Sequence, residues 1–318
     1  MLTRRDFSRL ALAGGATALA GPTFAKAPFA DGQVAGIYRH AVGDIQVTAL
    51  LDGYFPLPVE AFFNVSEENM AAVLEASAQQ APLPTAINAY VINTADRTFL
   101  VDAGFGSVDA FGPDVGKTVA NLQAAGIEPG QVDAVILTHA HLDHCEGLVD
   151  GTGAAVFPDA ELIMAEAEHA FWTDDAILAQ APEGARPNFE SARRSVAPYE
   201  GRTTLVGDAD LAPGVRFELS PGHTPGHGVL RIESGDDALT ILADSLHNEA
   251  IHLAYPDAGF GFDVDPAAAA VSRRRQFDRA ADEGTLTAGS HISFPSFGRI
   301  VRDGDAYAHV MAEWDPSL

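Results

Sequence analysis

The run His139-Ala140-His141-Leu142-Asp143-His144 holds four candidate metal ligands in six consecutive residues. Imidazole and carboxylate groups together suit Zn²⁺ and similar divalent ions. His139 and His141 are two residues apart at the end of a predicted strand, so both rings face the same side. Asp143 and His144 follow where the chain turns and can reach a neighbouring point. The run therefore predicts a metal site.

Three more candidate ligands each follow a predicted strand: His223, Asp244 and His291. Each of them alone is a weak signal, because a single polar residue at a strand end is common. Rigid elements present side chains into a shared cleft at such positions. The three residues are therefore expected to complete the site that begins at His139.

Regular elements must bring these positions together. Apolar alternation predicts strands over 43–51, 89–93, 98–102, 132–138, 161–164, 214–220, 229–233, 238–243 and 285–288. Helical spacing predicts helices over 116–125, 165–172, 176–180 and 267–281. Hairpins mixed with helices, without a fixed-period repeat, favour an α/β (α+β) layered fold in which two similar halves form one domain.

The pattern HxHxDH, then a distant His, a distant Asp and a last His, resembles that of the metallo-β-lactamase superfamily. Within it the chain most resembles methyl parathion hydrolase and its lactonase-like relatives. The likeness runs over about residues 43–297 and includes Asn88-Ala89-Tyr90, the segment 221–227 (PGHTPGH) and His291-Ile292-Ser293-Phe294-Pro295. The resemblance implies an αββα sandwich, with residues 28–318 as a single hydrolase domain.

The same resemblance implies two divalent metal ions, with Zn²⁺ expected first and Mn, Co or Fe as alternatives. One ion would be bound by His139, His141 and His223, the other by Asp143, His144 and His291, and Asp244 would bridge them. The implied reaction is hydrolysis by a metal-bridging hydroxide, on lactones or carboxylic esters and on aryl phosphotriesters. Asp143, Asp244 and His247 are the expected catalytic residues.

Other expected roles surround the ligands. Asp102 ends a strand and is expected to orient a ligand imidazole, and His227 is either a similar support or a structural histidine. His247 stands where acyl-homoserine lactonase relatives have a tyrosine, three residues after the bridging Asp. This departure argues against a homoserine lactone substrate, although a histidine at this position could still donate a proton.

Three aromatic residues match the leaving-group pocket of methyl parathion hydrolase: Phe111, Trp172 and Phe189. Such walls suit an aryl ester, aryl lactone or aryl phosphotriester. Plain core packing is the alternative, since it is the commoner fate of Phe and Trp.

The first 27 residues have the pattern of a cleaved export signal. Basic residues, among them Arg4 and Arg5, precede an apolar stretch and then small residues. The segment 3–7 (TRRDF) resembles the twin-arginine signature, so we expect a periplasmic or secreted protein. The cleavage site stays open, because Pro28 is a poor residue to follow a cut. The apolar stretch is too short to span a bilayer, so no membrane association is expected after signal removal.

The formal net charge is −25, and loss of residues 1–27, with four basic residues and one acidic residue, leaves −28. Such a surface repels nucleic acid and anionic lipid, so the expected partner is a small-molecule substrate. The resemblance also suggests a homodimer. The only cysteine, Cys145, excludes an intrachain disulfide, and a small buried thiol is expected there rather than a nucleophile.

Two other functions remain open, a β-lactamase-like amide hydrolase and a non-catalytic metal or ligand binder. Asp244 argues against the third subclass of true metallo-β-lactamases, which lacks the bridging carboxylate. His141 argues against diiron oxidoreductases of the fold, which have Glu there. The segment 112–118 (GPDVGKT) is not a P-loop, because three residues separate its glycines where four are required.

Overall fold

The computed structural model describes residues 29–30, 32–107 and 112–317. The predicted export signal and Phe111 lie outside these residues. Residues 35–318 form one compact unit. Within the described ranges no helix is long and apolar enough to cross a bilayer.

In the described part of the chain the strands are, in order, β1 (Ile37–Val42), β2 (Ile45–Leu57), β3 (Phe62–Phe63), β4 (Leu83–Asn93), β5 (Thr98–Val101), β6 (Ala134–Ile136), β7 (Glu161–Ala165), β8 (Thr203–Val206), β9 (Ala209–Ala212), β10 (Val215–Leu219), β11 (Gly228–Ser234), β12 (Asp237–Ile241), β13 (Gly259–Phe260), β14 (Leu286–Ala288), β15 (Gly298–Asp303) and β16 (Ala306–Met311). The helices are α1 (Glu67–Ala76), α2 (Thr118–Ala124), α3 (Leu142–Cys145), α4 (Glu166–Thr173), α5 (Asp175–Gln180), α6 (Arg186–Val196), α7 (Glu249–Ala254) and α8 (Pro266–Glu283).

Two mixed sheets are built from the two halves of the chain. The first has the order β1-β2-β4-β5-β6-β7-β8, and the second the order β16-β15-β14-β12-β11-β10-β9. In the first sheet β5, β6, β7 and β8 are parallel neighbours, and in the second β12 and β14 are parallel. A small antiparallel pair of β3 and β13 is separate from both.

Three apolar cores separate the layers. The inner core joins buried residues of both sheets, such as Val101, Ile136, Phe217 and Ile241. A second core packs the other face of the first sheet against helices that include α4 and α6, and a third packs Phe277 of α8 against the second sheet. The layers follow the order helix, sheet, sheet, helix, which confirms the predicted αββα sandwich.

The start of α8 and its end are set by local sequence. Asp265 accepts a hydrogen bond from Ala268 N at the N-cap, Pro266 occupies the first turn, and Gly284 ends the helix in the left-handed conformation with φ 64°. These are the residue types that helix ends favour. The helix therefore extends slightly beyond the predicted range of 267–281.

The predicted end of the first strand, at residue 51, is wrong. β2 continues to Leu57, and its register against β4 shifts between Leu51 and Gly53, which is the mark of a bulge. A Cβ at Gly53 would lie 1.9 Å from Asp114 O, so only glycine fits. Asp52 turns inward and accepts hydrogen bonds from Gly116 N and from Thr118.

Candidate metal centre

Three predicted ligands meet in what we call the first cluster: His139, His141 and His223. His139 follows β6, His141 is the residue before α3, and His223 lies in the loop after β10. His141 Nδ1 lies 3.1 Å from His139 Nε2 and 2.9 Å from His223 Nε2, and all three rings are buried. Nitrogen ligands around a tetrahedral Zn²⁺ are roughly 3.3 Å apart, given Zn–N bonds of about 2.0–2.1 Å. The spacing therefore fits one shared ion.

Three of the remaining predicted ligands form what we call the second cluster: Asp143, His144 and His291. Asp143 and His144 belong to α3, and His291 follows β14. Asp143 Oδ2 lies 3.5 Å from His144 Nε2 and 3.5 Å from His291 Nε2. These donor atoms are close enough together to hold a second ion.

Asp244 lies between the two clusters, in a tight turn after β12. Its Oδ1 is 3.3 Å from His144 Nε2, and its Oδ2 is 3.3 Å from His223 Nε2 and 3.2 Å from His291 Nε2. One carboxylate thus contacts ligands of both clusters.

Two buried atoms test whether these residues fit metal ions. His144 Nε2 and Asp244 Oδ1 are buried and have no hydrogen-bond partner among the described residues. Buried polar atoms are rarely left unsatisfied without a functional reason. The donor set of imidazoles and carboxylates suits divalent ions of the Zn²⁺ type, so the residues present fit the implied metals.

The outer nitrogens of the ligand rings are held by acceptors. His144 Nδ1 donates to Asp102 Oδ2, and His291 Nδ1 to Ala86 O, each at 2.8 Å. Asp102 also accepts from Thr138 N and Oγ1, and its backbone is held at φ 60°. Such partners fix the orientation of a ligand imidazole, so Asp102 lies where the expected role requires it.

Burial lowers the pKa of two of the three histidines of the first cluster, whereas the pKa of His223 is raised to about 9, because its hydrogen bonds and charge interactions with Asp244 and Asp263 outweigh its burial. Burial lowers the pKa of His139, and the neighbouring ring of His144 lowers it further. Burial likewise lowers the pKa of His141, with His223 as the next cause. Both rings are therefore neutral and can offer a lone pair to a metal ion.

Both histidines of the second cluster have raised pKa values. Burial alone would lower the pKa of His144, yet the carboxylates of Asp244, Asp143 and Asp102 raise it well above its ordinary value. The pKa of His291 is also raised, because the same two site carboxylates, Asp244 and Asp143, outweigh its burial. A proton must therefore leave this cluster when a metal ion binds.

Comparison with known proteins decides the family. The model of the metallo-beta-lactamase superfamily matches residues 82–288, which is more than half of the chain and includes all the residues of the two clusters except His291. The chain belongs to the metallo-β-lactamase superfamily.

Relatives within the superfamily include lactonases and hydrolases. The chain is 32% identical to the N-acyl homoserine lactonase of Bacillus thuringiensis over 162 residues, which is 50% of this chain and 55% of that one. The match therefore spans about half the length of the curated relatives.

Solved structures extend the likeness to nearly the whole fold. The hydrolase AbOPH has a TM-score of 0.83 and 31% identity, with 89% of this chain and 100% of that chain covered. AidC, a dizinc quorum-quenching lactonase solved with a product, N-hexnoyl-L-homoserine, has a TM-score of 0.81 and 26% identity, with 88% and 99% covered. The family match and these relatives support the predicted class, a metal-dependent hydrolase.

Two further histidines lie beside the two clusters. His227 donates from Nδ1 to Ser220 O at 2.8 Å and accepts from Asp244 N at 3.1 Å, so both of its nitrogens serve the fold. His247 Nε2 lies 3.2 Å from Asp244 Oδ2, and its ring stacks on Phe260 with centroids 3.7 Å apart. Burial lowers the pKa of His247 to about 3, so the ring is neutral.

A largely apolar cavity of about 120 Å³ opens over both clusters. Its walls include Phe55, Phe105, Phe260 and Phe262, and Asp244 and His247 line it as well. These four phenylalanines were not among the residues predicted from the sequence to line the pocket. No Lys or Arg is among the lining residues in the described ranges.

Two of the three predicted aromatic pocket residues line a second cavity beside this one, and the two cavities share His141, Asn188 and Phe262. Trp172 and Phe189 are buried, pack against each other with ring centroids 4.7 Å apart, and line a neighbouring cavity behind His141. Trp172 makes an edge contact with the His141 ring at 5.5 Å. Both residues therefore also belong to the apolar core, which was the alternative considered for them.

Three buried charged residues around the clusters were not predicted as site residues from the sequence: Glu168, Asp263 and Arg273. Asp263 Oδ1 accepts from His223 Nδ1 at 2.8 Å. Arg273 donates to Ser245 O at 2.7 Å and to Pro256 O at 2.8 Å. A helical projection could have found Arg273, because it shares one face of α8 with Ala269, Phe277 and Ala280, which are also buried.

Proposed function

We propose that the protein is a dinuclear metal-dependent hydrolase of neutral lactones and carboxylic esters, with neutral aryl phosphotriesters as a second substrate class. The observation that carries the proposal is the position of Asp244, which contacts both ligand clusters at the base of an apolar cavity. Family relatives that include lactonases support the same class.

The chain's own residues supply the charge and orientation that hold the ions. Asp244 and Asp143 bring negative charge to a site that otherwise consists of imidazoles. Bound there, two divalent ions would lower the pKa of water to roughly 7 and polarise the carbonyl or phosphoryl oxygen of a substrate. The buried partners of the ligand rings keep the ligands in place while the substrate is exchanged.

The cavity selects the substrate. Its phenylalanine walls favour an apolar acyl or aryl group. No described lining residue is cationic, so a charged substrate group that lies away from the metal ions would lose its hydration without compensation. A β-lactam with a free carboxylate needs such a cation. The amide hydrolase is therefore the less favoured function.

His247 is the proposed hydrogen-bonding group for the substrate. It is buried between Phe260 and His291, and it lies beside the carboxylate of Asp244. A neutral imidazole in this place can donate a ring N–H hydrogen bond to the negative charge that develops on a substrate oxygen.

A substrate panel tests the proposal. Purified protein is reloaded separately with Zn²⁺, Mn²⁺, Co²⁺ or Fe²⁺, its metal content is measured, and kcat/KM is determined for an alkyl lactone, an aryl ester, an aryl phosphotriester and a chromogenic cephalosporin. We expect the lactone and the ester to be hydrolysed fastest. A faster cephalosporin reaction would instead support the amide hydrolase, and two bound metals with no turnover of any substrate would support a binding protein.

We also propose that residues 1–27 are a twin-arginine export signal that is removed after transport. The two adjacent arginines before an apolar stretch support this proposal. In a bacterial host with this pathway, the full chain should be recovered from the periplasm in shortened form, and the double variant Arg4→Lys/Arg5→Lys should stay in the cytoplasm at full length. Equal export of both proteins would exclude the route.

A further inference from the structure

Glu168, on α4, is a carboxylate with no solvent exposure that is surrounded by hydrogen-bond donors. Its Oε1 accepts from Ala140 N at 2.9 Å and from Trp172 Nε1 at 2.6 Å. Its Oε2 accepts from Thr224 Oγ1 at 2.6 Å and from Gly226 N at 2.9 Å. Four donors face the group, so the ionised form satisfies every contact.

The donors come from the two segments that carry the first cluster. Ala140 lies between His139 and His141, and Thr224 directly follows His223. The two segments are far apart in the chain. One follows β6 of the first sheet, and the other follows β10 of the second sheet. A single carboxylate therefore links the loops that must meet for these three rings to share an ion.

The approach of the second loop to α4 is unusually close. A Cβ at Gly226 would lie 2.3 Å from Glu168 N and 2.6 Å from Glu168 Cβ, so only glycine is compatible with this contact. The second cluster has no such link to Glu168, because its ring nitrogens are held by Asp102 and by Ala86 O. Glu168 thus supports only the first cluster, whereas Asp102 supports His144 directly and also reaches His139 through Thr138 Oγ1.

We propose that Glu168 is a positioning residue that assembles the first metal site and not the second. Its four hydrogen bonds involve none of the ligand side chains, and it acts through Ala140 N, Thr224 Oγ1 and Gly226 N of the two loops. The inference rests on the proposed metal-binding role of the clusters, but not on which substrate the enzyme hydrolyses.

The substitution Glu168→Gln tests this role. An amide keeps the size of the side chain but turns one oxygen into a donor, which then faces a backbone N–H in either orientation. We expect the affinity for one of the two metals to fall by about 10–100-fold, the range seen when support of a ligand is removed, while the second metal stays bound. Glu166→Gln, an exposed change on the same helix, is the matched control and should bind both metals normally.

Metal content after titration with a competing chelator, together with the visible absorption of the Co²⁺-loaded protein, gives the readout. Circular dichroism and thermal unfolding of the metal-free variant show whether it is folded. Equal weakening of both metals, or unchanged binding of both in a folded Glu168→Gln variant, would overturn the proposal. A wild-type protein that binds no metal would overturn the proposed function as well, whereas two bound metals without hydrolysis would leave the role of Glu168 intact.

Double variants assign the affected site. With His141→Ala, which already damages the first cluster, Glu168→Gln should add little further loss of metal affinity, whereas with Asp143→Ala the two losses should add. Additivity in both backgrounds would contradict the assignment. If Glu168→Gln does not fold, Thr224→Val decides the question: it removes one donor and keeps the carboxylate, and it should weaken the same metal by a smaller factor, whereas no change in affinity would overturn the proposal.

Discussion

The first and second clusters share Asp244 but differ in charge and in support. The first contains three imidazoles from two loops on different sheets, and apart from Asp244 it contains no carboxylate. The second includes Asp143 and places two of its ligands on one short helix, α3. An all-imidazole set depends on accurate placement by its surroundings, whereas a set with its own carboxylate attracts a cation directly.

The supports follow the same division. His223 is held by Asp263, and the two loops of the first cluster are joined by Glu168. His144 is held by Asp102, which belongs to the same half of the chain. The first site is therefore assembled by contacts between the halves of the molecule. The second takes His291 and the shared Asp244 from the second half, but the carboxylate that holds its His144, Asp102, lies in the same half of the chain as that ligand.

The shared carboxylate should have the largest effect. Asp244→Ala removes a contact from both clusters, so metal content should fall from about two ions per chain towards one or none, and kcat/KM by at least about 100-fold. Elemental analysis and steady-state kinetics measure both. Asp236→Ala, an exposed change in the β11–β12 turn, is the control. An active variant with two ions would show that Asp244 does not link the clusters.

His247 lies between the clusters without belonging to either. His247→Ala should keep both metals but lower kcat by about 100-fold, because the loss of one hydrogen-bond donor to a developing negative charge commonly costs a factor of this size or more. His247→Asn, which keeps an N–H donor, should recover part of the rate. Loss of a metal in the alanine variant would place His247 among the ligands, and full activity would remove its role.

Two matched substitutions separate the supports. Asp263→Asn should weaken metal binding at the first cluster, and Asp102→Asn chiefly at the second, each by about 10–100-fold, because a neutral amide accepts a ring N–H less strongly than a carboxylate. A smaller effect of Asp102→Asn on the first cluster is expected, since Asp102 reaches His139 through Thr138. Chelator titrations of each variant alone and of the pair measure the effects. If both variants lose the same metal, the two clusters do not have separate supports.

Much of the candidate site could be predicted because its signals are local. His139 to His144 lie in one short run, and His223, Asp244 and His291 each follow a strand whose apolar pattern is visible in the sequence. For His223, Asp244 and His291, the position directly after a strand is the observation that supports the prediction. The sandwich followed from the resemblance and from the mixture of hairpins and helices.

The supporting charges could not be predicted in the same way. Glu168 has the sequence context of an ordinary acidic residue on a helix surface, and its burial depends on donors as far away in the chain as Gly226. Asp263 likewise depends on a histidine 40 residues away. A local pattern does not distinguish a solvated carboxylate from one that is enclosed by such contacts.

Some edge strands and helices were not predicted either, because they bury few residues and their apolar pattern is weak. β8 and β9 are short and partly exposed, so their alternation is weak. α1 has no buried residue, although Ser66 caps it by accepting from Asn69 N. The pocket walls Phe55 and Phe262 come from β2 and from the segment after β13, and nothing in the sequence relates those two segments.

Cys145 provides the smallest expected effect and tests the rigidity of the second cluster. It follows His144 on α3, has no solvent exposure, and lies 3.5 Å from Ala140 O and 3.7 Å from Ser191 Oγ. Burial raises the pKa of its thiol to about 12, so little reactive thiolate exists at pH 8. If α3 keeps its packing without metal, labelling by a thiol reagent should stay slow after chelation and become complete only in denaturant. Rapid labelling of the metal-free native protein would mean that α3 opens when the ions leave. The structure of the second cluster would then depend on bound metal.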